Sequence, residues 1–569
     1  MLISAAKSSA YLMNIFKITI LFLLTTISLH AQQFEWGKAI GGASADNCQR
    51  IALDSSGNVF ASGVYTAPLG SLPSYGFQDI YLSKYASDGT LLWQIGIGSA
   101  NNDQISAIAT DTGGNILMSG RFQGTFDFDP SDSVQSASSN PSNALEGFLA
   151  RYNGETGALM EYRDLTSGGS IDIRSIRIDQ YNDIFIGGQF SQAVDFDFGG
   201  GTFPQTSFQN SGDCFVGRYY GDLQLIWMNV IGSQTPAIDF ISDIALGSDG
   251  FVYSTGMLGG TADILPGAGT YNLTAISDAF LIRYSQNDGS LSWGFSIGGT
   301  SLDIGNSLLV GDDGGIVLAG SMNSSSMDVD PGFAINTLAK TGSNAAPFLL
   351  KYTANGVLSN AGLLQGSQTL TSTINRIVKG PDNSFLVNGY YKGDVDIEPT
   401  ALTYSISSGD STNSFMLRYM NDFTLMQYFE QGGNGDQLGS DILSRGTYVY
   451  QSGQFSNTLL PLYPELDTTI QRAGSGLDGF LLKYNLITNT TGIPLAHDSH
   501  LIAYPNPSNG LVYFNYANAE DVRVYDASGR NVEVNILPGT IDFSGVSNGL
   551  YTILVNGKTG IQHARILKN

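Results

Sequence analysis

Chemistry at neutral pH commonly runs through histidine, and in this 569-residue chain histidine is nearly absent. The four are His30, His497, His500 and His563, so none falls between residues 31 and 496. That removes Ser-His-Asp and Cys-His nucleophile systems, and imidazole-bound zinc or iron, from the bulk of the chain. The pair in "HDSH" (497–500) lies in an unpatterned stretch and reads as linker rather than ligand. Carboxylates remain, and they are patterned. Alternating acids recur as "FDFDP" (Asp127, Asp129), "VDFDF" (Asp195, Asp197), "MDVDPG" (Asp328, Asp330) and "DVDIEP" (Asp394, Asp396, Glu398). Alternation by two puts each pair on one side of an extended segment, a geometry suited to a hard cation, and the oxygen-only donor set selects calcium as the candidate cofactor. The competing reading is that each Asp accepts backbone N–H bonds within its own loop.

A second set, Asp46, Asp103, Asp172, Asp239, Asp303 and Asp436, stands at a similar distance ahead of short apolar strands and reads as structural, since it recurs with the repeat. Two carboxylates alone can hydrolyse a glycoside. Nothing singles out one pair here, and no Gly-rich phosphate loop stands in a strand–helix context.

These acids are spaced by an internal period. Lys/Arg–Tyr pairs close a short apolar strand at Tyr85, Tyr152, Tyr219, Tyr284, Tyr352, Tyr419 and Tyr484, at intervals of 67, 67, 65, 68, 67 and 65. The strands are near copies: "DIYLSKY", "GFLARY", "CFVGRY", "AFLIRY", "PFLLKY", "SFMLRY", "GFLLKY". Each unit also holds a first strand such as "QRIALD" (49–54), a second such as "VFASGVY" (59–65), and a tight Asp-Gly or Asn-Gly turn into a fourth strand, which carries Trp36, Trp93, Trp227 and Trp293. Four short antiparallel strands, repeated seven times, bury their faces only when stacked radially. The expected fold is therefore all-β, a seven-bladed β-propeller over 32–486. The seventh unit lacks its fourth strand, and "FEWGKAIGG" (34–42) supplies it, so the N-terminal strand should close the ring. The pattern "GG-x₃-D … IA-x-D-x-x-GNV-x-x-x-G … D-x-F/Y-L-x-K/R-Y" resembles the bacterial SBBP propeller repeat, which implies export and a propeller but no single activity.

Charge is uneven. Residues 32–500 hold 45 of the 50 acidic and 19 of the 26 basic side chains. A body this acidic disfavours nucleic acid and anionic membrane as partners and leaves cations and neutral or basic ligands open. The run "ITILFLLTTISL" (18–29) is too short to span a bilayer comfortably and fits a signal peptide over 1–31, with Met13 an equally good start. No other stretch reaches membrane-spanning length. The two cysteines, Cys48 and Cys214, occupy different repeat positions and are expected as buried free thiols.

After a linker (487–500), residues 501–569 change style to alternating strands split by Asn, Gly and Pro, and read as a small β-sandwich. The residues Tyr504, Pro505, Asn506, Pro507, Gly510, Asp526, Gly529, Arg530, Gly549, Tyr551 and Lys568 make this tail similar to the C-terminal sorting domain of type IX secretion substrates. That resemblance implies secretion machinery as a partner and a secreted or surface-attached passenger. The expected role is a binding or adhesion module for a glycan or protein. The alternatives are a carboxylate- or calcium-dependent polysaccharide hydrolase or lyase, and a structural surface component.

Overall fold

The computed structural model describes residues 33–486, apart from short gaps (132, 140–144, 166–168, 234–236, 333–334, 367–371, 401–402, 434, 462–469 and 474–475). It also describes most of 503–568. The chain divides after residue 488 into two compact units. The predicted signal segment, the linker with His497 and His500, and Pro505, Asn506, Pro507 and Gly529 lie outside the described residues.

The first unit is a β-propeller built from seven antiparallel sheets. The first runs Arg50–Leu53, Val59–Tyr65, Asp79–Tyr85, Leu91–Ile97, and each later sheet repeats that order from the channel outward. Six have four strands; the sixth in the chain extends the same core of four with short flanking strands. Each innermost strand neighbours the innermost strand of the next sheet, and the seventh, Gln437–Arg445, returns to the first. The expected closure is present. Gln33–Ile40 pairs antiparallel with Asp478–Asn485, setting Trp36 opposite Lys483 as the fourth strand of the seventh sheet.

The repeat's conserved-looking residues turn out to be fasteners between sheets. Each Trp lies across its ladder from a motif cation: Trp93 from Lys84, Trp227 from Arg218, Trp293 from Arg283. The indole N–H then reaches a turn carbonyl of the following sheet, from Trp36 to Ser87 (3.0 Å), Trp227 to Gln286 (2.8 Å) and Trp293 to Ala354 (3.2 Å). Three of the cations use the same carbonyls as their Trp partners: Lys84 with Trp93 at Gly154, Arg218 at Gln286 and Lys483 at Ser87. The aromatic ring beneath the cation belongs to its own sheet (Phe60 under Lys84, Phe185 under Arg218) rather than to a neighbour, and the acid partner is also local, as in Lys84–Asp54 (3.1 Å). A cation so placed swaps water for a fixed carboxylate, a ring face and a carbonyl, which keeps a half-buried charge tolerable.

The glycine that ends the second-strand signature meets a different demand. A Cβ on Gly256 would run into the Phe240 carbonyl of the inner strand, and Gly120, Gly188, Gly320, Gly389 and Gly453 face the equivalent carbonyls. No side chain can yield there, because the obstacle is backbone. Gly256→Ala is expected to cost about 1–3 kcal/mol, read as a lower urea midpoint at unchanged m-value.

Both thiols are buried and free, and burial pushes Cys48 up to about 12, leaving it inert as a nucleophile.

The second unit is a β-sandwich of two four-stranded sheets. One pairs Ala503–Tyr504, Leu511–Phe514, Thr540–Asp542 and Asn535–Leu537; the other pairs Asn531–Val532, Asp521–Asp526, Gly549–Gly557 and Gly560–Lys568. Val512 and Ile541 from one sheet pack with Val524, Tyr551, Ile553 and Ile566 from the other. Of the expected signal residues, Tyr551 is buried and its hydroxyl donates to the Ser547 carbonyl (2.6 Å). Arg530 pairs with Asp526 (3.3 Å) across a turn, and Lys568 is buried near the end of the last strand. Gly510 is buried and its carbonyl accepts the Phe543 N–H (2.7 Å).

Candidate functional site

The alternating acids occupy the loops after the second strands, as expected, but their work there is local. Asp127 Oδ1 accepts from the backbone N–H of Asp129 (3.1 Å) and Gln135 (2.9 Å). Asp195 takes Asp197 and Phe203; Asp328 takes Asp330 and Asn336; Asp396 takes Glu398 and Tyr404. The intervals of two and eight residues are the same each time. The fourth sheet has the same device at Asp263, which accepts from Leu265 and Tyr271, and the sequence pattern missed it because leucine replaces the second acid.

The intervening residue of each motif is apolar and buried (Phe128, Phe196, Val329, Ile397), and its carbonyl receives the hydroxyl of the motif tyrosine, at 2.9 Å for Tyr152 and 2.6 Å for Tyr419. Second-position acids cap the next turn. Asp129, Asp197 and Asp330 accept from Ser131, Gly199 and Gly332, and Glu398 from Leu425. Asp394 is exposed on its strand. Among the described residues no group of three or more His, Cys, Asp or Glu side chains is close enough to hold a metal ion.

The crossing-loop set divides. Asp46, Asp103, Asp239 and Asp303 clamp the incoming loop to the loop leaving the second strand. Asp303, for instance, accepts from Gly299 (3.0 Å), Asn323 (2.9 Å) and Ser324 (3.0 Å), so both loop sets emerge at one end. Asp172 and Asp436 do not belong with them. Ile171 and Gln437 hold the register place that Asp303 holds in its own sheet, pairing with Phe190 and Phe455 as Asp303 pairs with Met322. Equal spacing along the chain concealed a one-residue slip.

Burial raises the proton affinity of three of these clamps, Asp46, Asp103 and Asp239. It pushes Asp103 up to about 7 and Asp46 to about 6, against the opposing pull of the N–H donors; Asp213, at the start of a third strand, also rises to about 6. Their folded pKa values exceed the unfolded ones, so the native state holds protons more tightly between about pH 4 and 7. Stability is therefore fullest on the acid side of that window and falls as pH rises through it, by about 1.4 kcal/mol for each tenfold difference in proton affinity. Thermal melts are expected to show a lower Tm at pH 7.5 than at pH 5.5, with a shallower fall in Asp103→Asn.

Asp172 points to where the chain breaks its own symmetry. In six of the seven sheets the ladder between first and second strands shifts register, between Ile105 and Ala107, Ile173 and Ser175, Ile241 and Asp243, Gly305 and Ser307, Ile374 and Arg376, and Gly439 and Asp441. A bulge inserts one unpaired residue and re-aims its neighbours. Here the bulges bring side chains to the wall of a central cavity of about 1110 Å³. At the residue just after the bulge the sheets carry Ala107, Ser175, Asp243, Ser307, Arg376 and Asp441, with Arg50 at the equivalent place in the first sheet: seven places with almost no repetition.

These residues link the ring. Asp243 is fully buried, accepts from Arg177 Nη2 (2.6 Å), Ser175 Oγ (2.9 Å), Ser307 Oγ (2.9 Å) and the Leu308 N–H (3.0 Å), and forms an ion pair with Arg376 Nη1 (3.1 Å). The two guanidinium groups and the hydroxyl and amide donors hold its carboxyl below the usual range despite complete burial. Arg376 also lies 3.6 Å from Asp441, whose other oxygen accepts the Ile51 N–H (3.1 Å). Asp172 takes Ser106 Oγ (2.7 Å) and Arg174 Nε (3.0 Å), with Arg121 at 3.8 Å. Five arginines and three aspartates therefore meet in or against one channel, and the local charge is positive within a chain of net charge −24.

Residues 502–569 match the secretion system C-terminal sorting domain. That tail indicates export by the type IX route to the cell surface or extracellular space, with the secretion machinery as its partner; no helix among the described residues is long and apolar enough to cross a membrane. The chain is 21% identical over 537 residues to an uncharacterized WD repeat-containing protein of Acanthamoeba polyphaga mimivirus, a match that covers 79% of this chain but only 38% of that relative. Among solved structures it is similar to the Dos1 propeller (11% identity, 80% of this chain and 97% of that one, TM-score 0.37). It is also similar to a protein of unknown function from Dyadobacter fermentans (10% identity, 80% and 99%, TM-score 0.34).

Proposed function

We propose that this exported β-propeller is a binding module of the cell surface or extracellular space, a seven-bladed SBBP-type repeat, and that its ligand enters the central channel. One observation carries this reading. The residues facing the channel are those that depart from the repeat, whereas the alternating acids follow it and hold their own loops. A repeat that only had to close a ring would keep one residue at the inner position. Arg50 and the bulge residues Ser106, Arg174, Ser242, Asn306, Asn375 and Ser440 line an asymmetric polar cavity, within or slightly above the size range of small-molecule sites.

Hydrolysis or lysis of a polysaccharide has less support, because a general acid needs a carboxyl held protonated, and the carboxyls that burial raises most, Asp46, Asp103 and Asp213, hold loops and are not among the residues lining the channel. The test is retention of the full chain on a panel of glycans and matrix proteins, with calcium and with chelator, alongside a variant carrying Ser440→Trp to fill the channel. Retention abolished by the filled channel supports the reading. Retention unaffected by it, or new reducing ends from a polymer, counts against it; retention lost only with chelator would return calcium and the alternating acids to the site.

A further inference from the structure

The sign of the channel's charge is opposite to that of the body around it, and one of the excess cations has no carboxylate at ion-pair distance. Arg177 and Arg376 share Asp243, and Arg121 and Arg174 share Asp172. Arg50 has no ion pair among the described residues. Its Nε donates to the Ser106 carbonyl (2.6 Å) and its Nη1 to the Gln49 carbonyl (3.0 Å), which fixes the guanidinium against the wall by two neutral acceptors. Two more cavity guanidiniums hold an unspent donor: the Nε atoms of Arg121 and Arg376 are buried without a hydrogen-bond partner. Arg50 is half-buried; burial lowers its proton affinity and Arg376 adds repulsion, while Asp441, Asp172 and Asp243 favour its charge without any of them coming within ion-pair distance. Around these cations the wall is lined by short hydroxyl and amide side chains, among them Ser106, Ser242, Asn306 and Asn375.

We infer that the channel binds an oxyanion, the carboxylate or sulfate of a small polyhydroxylated ligand, with Arg50 as its principal counter-charge and the serine and asparagine side chains as partners for the hydroxyls. A guanidinium presents donors in a planar fork that matches such a group, and the bond strengthens where water is excluded. The inference rests on the channel being the binding site and adds the class of ligand. It also explains why a body with 45 acidic residues in 32–500 puts an unpaired cation at its centre: the surrounding field rejects anions from the outer surface and leaves one place where they are welcome.

The test is calorimetric titration of the full chain with glucuronate, with inorganic sulfate, and with glucose as the neutral isostere. Glucuronate should bind and glucose should not at matched concentration. Sulfate binding as tightly as glucuronate would mean that the hydroxyls contribute nothing and the site takes a simple ion, which overturns the polyhydroxylated ligand. Arg50→Gln should weaken glucuronate by about ten- to a hundred-fold, and Arg50→Lys by less. Should Arg50→Gln fail to fold, Ser242→Asp decides, since it leaves every arginine in place and adds a repelling charge to the wall; affinity should again fall at unchanged Tm. Equal binding of glucose and glucuronate, no binding of either anion, or unchanged affinity in both variants would overturn the inference. If the channel-filling substitution abolishes retention on the panel while glucuronate and sulfate do not compete, the binding module stands and the oxyanion falls.

Discussion

Removal of Gln33–Ile40 is expected to leave a chain that no longer melts as one cooperative unit. Among the described residues those eight are the only strand covering the outer edge of Asp478–Asn485, so their loss opens a ladder of backbone groups in the seventh sheet. Ile40 is buried with Cys48, Ile51 and Leu481, and Trp36 packs against that cluster, while Phe34 packs edge-on against Tyr484 at 5.7 Å. Three large apolar side chains correspond to about 5 kcal/mol of burial at the usual 1.5–3 kcal/mol each, a large share of the 5–15 kcal/mol by which domains are stable. The Trp36 bond to Ser87 goes as well, leaving Lys483 at that carbonyl, while ties nearer the axis such as Ile51 N–H to Asp441 and Cys48 N–H to Gly453 remain. Circular dichroism melts should show a Tm lower by about 5 °C and a broadened transition. A synthetic peptide of residues 33–40 added in excess should restore part of it. A deletion variant that melts like the intact chain would mean the ring does not depend on its closing strand.

The strand's role could be read from the sequence because it is a copying error in plain view: a fourth strand without the three that should precede it. The same kind of signal gave the sheets, since Lys/Arg–Tyr strands at near-constant spacing can come only from a repeated unit. It also gave the sorting tail, where several short motifs fall in order. The alternating acids were visible for a different reason. Repetition made them conspicuous, and repetition is what a fold needs at every sheet, so the most legible acids serve the loops. Asp263 escaped notice only because Leu265 broke the alternation, though its oxygen holds the same two N–H groups. The channel residues were illegible because nothing about them repeats. Arg50, Asp243 and Arg376 share a register place, but a one-residue bulge separates that place from the ladder, and a pattern search aligned on the repeat treats the differences as noise. Global charge misled in the same way: a total of −24 says nothing about five arginines brought together from four inner or second strands. The usable signal was departure from the consensus on the strand nearest the axis.

Asp243→Asn separates the two duties of that strand. The Asp243 carboxylate meets five cationic or N–H and O–H groups from three other sheets, Ser175 and Arg177, Ser307 and Leu308, and Arg376, and so ties four sheets together. Asparagine keeps the volume, turns one oxygen into a donor aimed at other donors, and removes the carboxylate that pairs with Arg177. Breaking a buried pair from one side costs about 3–5 kcal/mol, because the surviving charges stay buried and unpaired. Arg177 and Arg376 keep part of their surface toward the cavity, which places the expected loss at the lower end, about 3 kcal/mol, measurable by urea unfolding. The same substitution makes the channel one charge more positive. Ligand affinity and stability should therefore move in opposite directions: the variant unfolds at lower urea yet binds glucuronate more tightly than the parent, by several-fold. A variant weaker in both respects would show that Asp243 shapes the cavity rather than tuning its charge. One unchanged in stability would show that water in the channel already solvates the arginines, leaving Asp243 no pairing to lose.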